Sequence, residues 1–151
     1  MPSFEPKDRD YHEKAASVLE RQAVMRTLGV AIIRIVPGEV ELTMPYAEAF
    51  AQQNGFLHAG IVTTVLDTAC GCAAFTLMPA GANVLTVEFK TNLLAPARGE
   101  RFGFRAHVVK PGRTITVCDA QAFALNKGVE RLIASMTGTL MAIFERESDR
   151  R

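Results

Sequence analysis

The chain has almost no excess of charge: 17 lysines and arginines stand against 16 aspartates and glutamates, a formal net charge of +1 over 151 residues. A nucleic acid is gripped by a basic surface, so this balance argues against a polyanion as the main partner. Single basic residues could still hold a small phosphorylated ligand. Also missing is an apolar run long and unbroken enough to span a bilayer, so no membrane partner is expected. The opening Met1-Pro2-Ser3-Phe4-Glu5-Pro6-Lys7 carries neither the basic start nor the apolar stretch of a secretory leader. A cytoplasmic protein is the expectation. Cysteine is scarce and odd in number, with Cys70, Cys72 and Cys118. Cys70-Gly71-Cys72 is too closely spaced for the usual zinc half-site, so buried free thiols are expected and no metal site. Internal repeats, low-complexity tracts and linkers are absent too.

What is present suits one core. A length of 151 residues with 48% hydrophobic content predicts a single domain over 1–151, its core about 28–144. Residues 10–28 place Val18, Leu19, Val24, Met25 and Leu28 at loose helical spacing, ending at Gly29. Val30 to Val36 and Val40 to Met44 read as a hairpin around Pro37-Gly38. Residues 45–58 lose periodicity and predict an ordered loop. A helix over about 59–78 is apolar nearly all round, which suits a central position, and Pro79 and Gly81 end it.

Four strands follow, at about 83–93, 100–110, 113–125 and 129–144. Pro111-Gly112 and Asn126-Lys127-Gly128 supply the last two turns. Leu85, Val87, Phe89 and Leu93 alternate with Thr86, Glu88, Lys90 and Asn92, predicting one buried face, and Phe102 to Val108 repeat the pattern. The order implies an α+β domain, an antiparallel sheet around one central helix. Short connections leave no room for repeated βαβ crossovers, so dinucleotide binding has no support.

Asp67 is the only charged residue between His58 and Glu88, and it sits in the apolar helix. A buried unpaired carboxylate costs several kcal/mol unless hydrogen bonds or dipoles compensate, and carboxylates so tuned serve as bases or nucleophiles. By composition alone it could equally be a satisfied core acid or face water at a notch. His58-Ala59-Gly60 precedes it at the helix start, where unpaired N–H groups and the helix dipole can stabilise an oxyanion. Small residues there let a ligand approach the backbone.

The run Gly55-Phe56-Leu57-His58-Ala59-Gly60, with Asp67 in a helix rich in small residues, resembles the signature of hotdog-fold thioesterases of the phenylacetyl-CoA thioesterase type. The likeness runs from about Leu28 to Phe144 and includes Pro37-Gly38, Leu94-Ala95-Pro96, Gly112-Arg113 and Gly138-Thr139. It implies hydrolysis of acyl-CoA to acid and CoA without a cofactor. It also implies a homodimer with sheets joined edge to edge, active sites at the interface, and dimers pairing into a homotetramer. By the same resemblance Asp67 activates water or attacks directly, and Ala59 gives its N–H to the thioester carbonyl. Thr86, from the same subunit as Asp67 and opposite Ala59, orients the water or the carboxylate. Gln52 falls where relatives often carry asparagine, with Asn54 the alternative for that polar role. His58-Ala59-Gly60 departs from the commoner His-Gly-Gly; Ala59 keeps the N–H and adds a methyl.

Each candidate also has a plainer role. His58 can shape the loop by hydrogen bonding, Thr86 can be a simple strand former, and Arg113 can be solvated rather than bound to a CoA phosphate, as can Lys90, Arg98 and Lys110. Phe56, Phe75, Leu77 and Met78 are expected to set pocket depth. Two other functions share these features. A non-catalytic acyl-CoA or lipid-binding module would keep the fold without activating water. A hydratase or dehydratase would pair His58 with Asp67, which an ideal helix sets roughly 13 Å apart.

Overall fold

The computed structural model describes residues 3–146. Its leading helix is two helices, α1 (Tyr11–Arg21) and α2 (Ala23–Leu28), parted at Gln22, whose backbone is extended at φ −71°, ψ 111°. The loose spacing of apolar residues has this cause. The break lets Leu19 of α1 and Met25 and Leu28 of α2 all be buried. The Gln22 side chain meanwhile turns inward and accepts a hydrogen bond from the Thr68 hydroxyl at 3.0 Å. Gly29, left-handed at φ 72°, closes α2.

Next come β1 (Ala31–Val36), β2 (Glu39–Pro45), a short 3-10 turn at 48–50, α3 (Ala59–Phe75), β3 (Ala82–Leu93), β4 (Arg101–Lys110), β5 (Ile115–Asn126) and β6 (Val129–Phe144). The six strands form one antiparallel sheet in the order β1-β2-β4-β5-β6-β3. α3 lies against its inner face, which is the hotdog arrangement. Val62, Val65, Leu66, Ala69 and Ala73 of the helix are buried, as are Leu42, Phe102, Phe104, Met136 and Leu140 of the strands. Each large apolar side chain so removed from water contributes about 1.5–3 kcal/mol.

α3 ends earlier than the sequence pattern predicts. Thr76 turns its hydroxyl back to the Ala73 carbonyl at 2.7 Å and accepts the Gly38 N–H at 2.8 Å. That tie pins the helix end to the β1–β2 turn. Gly38 has φ 79°, and a Cβ there would come within 2.6 Å of Phe4, so only glycine fits.

The predicted buried face of β3 is corrected. Leu85, Val87, Phe89 and Leu93 are 55%, 54%, 42% and 59% exposed. Two physical causes act together. β3 is an edge strand with one side unpaired, and a bulge at Val87 shifts its register on β6, so Thr86 pairs with Leu140 and Glu88 with Thr139. Beyond the bulge the residues facing the helix side change from even to odd numbers. Strand β4 has no such shift across Phe102–Val108, and there the predicted alternation holds, with Phe102, Phe104, Ala106 and Val108 buried.

Candidate active site

The loop before α3 folds back on itself. The Gln52 N–H donates to the Phe56 carbonyl at 2.8 Å and the Gly55 N–H to the Gln52 carbonyl at 3.0 Å. Gly55, at φ 82°, supplies the left-handed turn. The Gln52 side-chain carbonyl accepts the Asn54 N–H. Two further bonds anchor the loop's exit, Leu57 N–H to the Ala97 carbonyl at 3.0 Å and His58 N–H to the Phe50 carbonyl at 2.9 Å.

His58 is the N-cap of α3, and its Nδ1 accepts the Gly60 N–H at 2.9 Å. The ring is therefore a structural cap. A Cβ on Gly60 would lie 3.1 Å from Nδ1, so the absence of a side chain lets the ring sit this close. Because Gly60 spends its N–H on the cap, the Ala59 N–H is the first-turn donor that takes no acceptor among the described residues.

One face of α3 is less covered than the rest, and Asp67 is half-buried on it. The Thr86 hydroxyl donates to Asp67 Oδ1 at 2.7 Å. Asp67 is thus a partly exposed acid at the β3 edge, partnered by Thr86, rather than a fully buried and unpaired one. Thr86 is the last residue of β3 to face the helix before the bulge, which is why its hydroxyl reaches Asp67.

A cleft of about 430 Å³ opens at the N-terminal end of α3. Gln52, Phe56 and Ala59 line it together with Leu93, Leu94 and Ala95, while Leu57, Val62, Ala97 and Ile133 are its buried members. Gln52 is the polar side chain among the lining residues. Asn54 is exposed and lies outside the cleft.

One chain does not unite the candidate residues. Ala59 and Asp67 are separated by about 12 Å of helix, and the cleft contains neither Asp67 nor Thr86. Arg113 is exposed in the β4–β5 turn. It belongs to the end of the sheet where Ile115 pairs with Met141 and Met141 with Leu85. That is about 26 Å of strand from Leu93 at the cleft. His58 and Asp67 are each engaged elsewhere, by Gly60 and Thr86, so the acid–histidine pair of a hydratase is not formed. Of the residues expected to set pocket depth, Phe56 lines the cleft, whereas Leu77 and Met78 are buried in the main core and Phe75 borders a hollow beside α1.

Leu93, Leu94 and Ile133 line the cleft without having stood out as lining residues in the sequence, although Leu94 belongs to the Leu94-Ala95-Pro96 motif. Leu93 and Leu94 look like ordinary strand residues, and Ile133 reaches the cleft only through a β6 bulge that no turn residue announces. Arg98, by contrast, has its guanidinium 5.7 Å from the Phe56 ring centre, over the residue that walls the cleft.

Comparison with known proteins identifies the family and the fold. The family model described as the thioesterase superfamily matches residues 54–130, which include the His58 cap, Asp67 and Thr86. A thioesterase family protein from Silicibacter pomeroyi is 61% identical, with a TM-score of 0.88 over 89% of this chain and 99% of that one. Acyl-coenzyme A thioesterase 13 of Mus musculus is 27% identical over 106 residues, 70% of this chain and 74% of its own. The E. coli PaaI protein from the phenylacetic acid degradation operon shares the fold, at 20% identity and a TM-score of 0.79 over 91% of this chain and 96% of that one. The family match over 54–130 and the 61% identity to a thioesterase family structure show that the chain belongs to the thioesterase superfamily and is a thioester hydrolase of the hotdog fold.

Proposed function

We propose that this hydrolase acts on acyl-CoA, that residues 1–151 form one domain, and that its working unit is a homodimer in which Asp67 and Thr86 of one subunit meet Ala59 and Gln52 of the other. The observation that carries the proposal is the Thr86–Asp67 hydrogen bond of 2.7 Å at an open sheet edge. A half-exposed carboxylate held by a hydroxyl is ready to take a proton from water. The apolar side chains along unpaired β3 favour covering by a second copy, because an exposed apolar edge invites pairing.

In the proposed reaction the Ala59 N–H, at the positive end of α3, binds the thioester oxygen as it gains charge. Asp67 accepts a proton from water as the hydroxide attacks the carbonyl carbon. The C–S bond then breaks, the thiolate takes up a proton, and acid and CoA leave. Direct attack by Asp67 would instead form an acyl-aspartyl anhydride that water opens. In a single turnover in oxygen-labelled water, label in the Asp67 carboxylate identifies the anhydride opened at its aspartyl carbonyl, whereas the first route puts label in the product acid alone.

Gln52, its carbonyl engaged by Asn54, has its amide N–H₂ to offer to the carbonyl or the water; Asn54 acts through Gln52. His58 and Gly60 position the helix start, and Arg113 holds a CoA phosphate from the Asp67 side. Pairing of dimers into a tetramer belongs to the same proposal. So does a cytoplasmic location, in keeping with three cysteines that remain free and buried. No helix among the described residues is long and apolar enough to cross a membrane. The test is CoA release from an acyl-CoA panel together with the mass of the particle in solution. Turnover by a dimer or tetramer is expected, and an active monomer would refute the shared site.

A further inference from the structure

Ile133 occupies a place that strand alternation forbids. β6 pairs Ala134 with Ala122 and Leu132 with Phe123, leaving Ile133 unmatched in a bulge. Ile133 and its neighbour Ala134 are both buried, at 1% and 0% exposure, so the bulge turns Ile133 toward the helix side instead of solvent. There it joins Leu57, Val62 and Ala97 as the buried members of the cleft, a set we take as its closed end. Its carbonyl accepts the N–H of Leu94 at 2.8 Å and of Ala95 at 3.2 Å, two residues of the cleft wall. One residue therefore closes the cleft and ties down its side.

The closed end offers no polar side chain, and the N–H groups of Leu57, Leu94 and Ala95 already have acceptors. The amides of a pantetheine arm would lose water there with few groups to replace it, which is unfavourable. An unsubstituted alkyl or aryl group loses nothing. Gln52 and Ala59 line the same cleft, so an acyl group held in it brings its thioester carbonyl near the polar side chain and the helix start.

We propose that the acyl group enters this cleft and that Ile133 is the end stop that fixes how long or bulky an unfunctionalised acyl chain the enzyme accepts. The inference rests on the acyl-CoA reading above. Each buried methylene contributes about 0.8 kcal/mol, about fourfold in kcat/KM.

The experiment measures kcat/KM for wild type, Ile133→Ala, Ile133→Val and Ile133→Phe over a series of straight-chain acyl-CoAs. Ile133→Ala should move the optimum about two carbons longer and raise the longer substrate about fifteenfold relative to the wild-type optimum. Ile133→Val, a milder change to the core, should move it about one carbon, and Ile133→Phe should shorten it. Profiles that keep the wild-type optimum in Ile133→Val and Ile133→Phe, with Asp67-dependent CoA release intact, would overturn the end stop alone. Absence of CoA release in wild type would overturn the acyl-CoA reading, and this inference with it.

Discussion

Replacing Thr86 by valine removes one oxygen and almost nothing else. The side chain stays β-branched, which suits its place in β3, and the pairing of Thr86 with Leu140 is untouched. What disappears is the 2.7 Å bond to Asp67 Oδ1. A hydrogen bond to a charged group contributes about 1.5–3 kcal/mol, which spans roughly tenfold to 150-fold if it is expressed wholly in the transition state. Thr86 is exposed and Asp67 half-buried in the single chain, so water can partly replace the hydroxyl and the lower end applies. Thr86→Val should lower kcat about tenfold, with KM and the thermal midpoint little changed. Thr86→Ser should recover most of the rate. Rates for Thr86→Val within twofold of wild type, or a serine variant as slow as valine, would refute the role given to the hydroxyl.

The other expected outcomes concern the frame around the site. Gly55→Ala, at φ 82° with open space around the added methyl, should destabilise the fold by about 1–2 kcal/mol through backbone strain alone, read from the urea midpoint. His58→Ala removes the α3 cap and should cost about 1 kcal/mol, most of it returned by His58→Asn. The three buried cysteines should resist a thiol reagent in the native protein and react once it is unfolded. Burial pushes Cys72 and Cys118 up to about 12 and raises Cys70 as well, against an ordinary value near 9. The folded thiols hold their protons where the unfolded ones lose them. Their contribution is therefore fully present below about pH 9 and falls as pH rises toward 12, by about 1.4 kcal/mol per unit per thiol. Urea midpoints at rising pH, compared with a cysteine-free variant, check the sign.

Much of the fold was legible because its signals are local. Alternation in β4, the glycine turns and the apolar run of α3 each depend on neighbours within a few residues. What escaped depends on distant contacts. Gln22 breaks the leading helix because its side chain meets Thr68. The face of β3 changes at a bulge set by pairing with β6, and its apolar residues are exposed because the strand lies at the edge. The same division applies to the candidate site. Asp67 stood out as a lone charge in an apolar helix, and His58 as a helix-start residue. That the Gly60 N–H is taken by the His58 ring, leaving Ala59 as the open donor, follows only from the cap geometry.

Asp67 is the residue on which the proposed chemistry depends, and the most direct measurement is CoA release by wild type and Asp67→Asn across acetyl, aryl and long-chain acyl-CoAs. Folding and particle mass would be checked alongside. A fall in rate of at least about a hundredfold, with fold and assembly unchanged, is the predicted result. An asparagine variant as active as wild type would contradict it and move the chemistry to another residue.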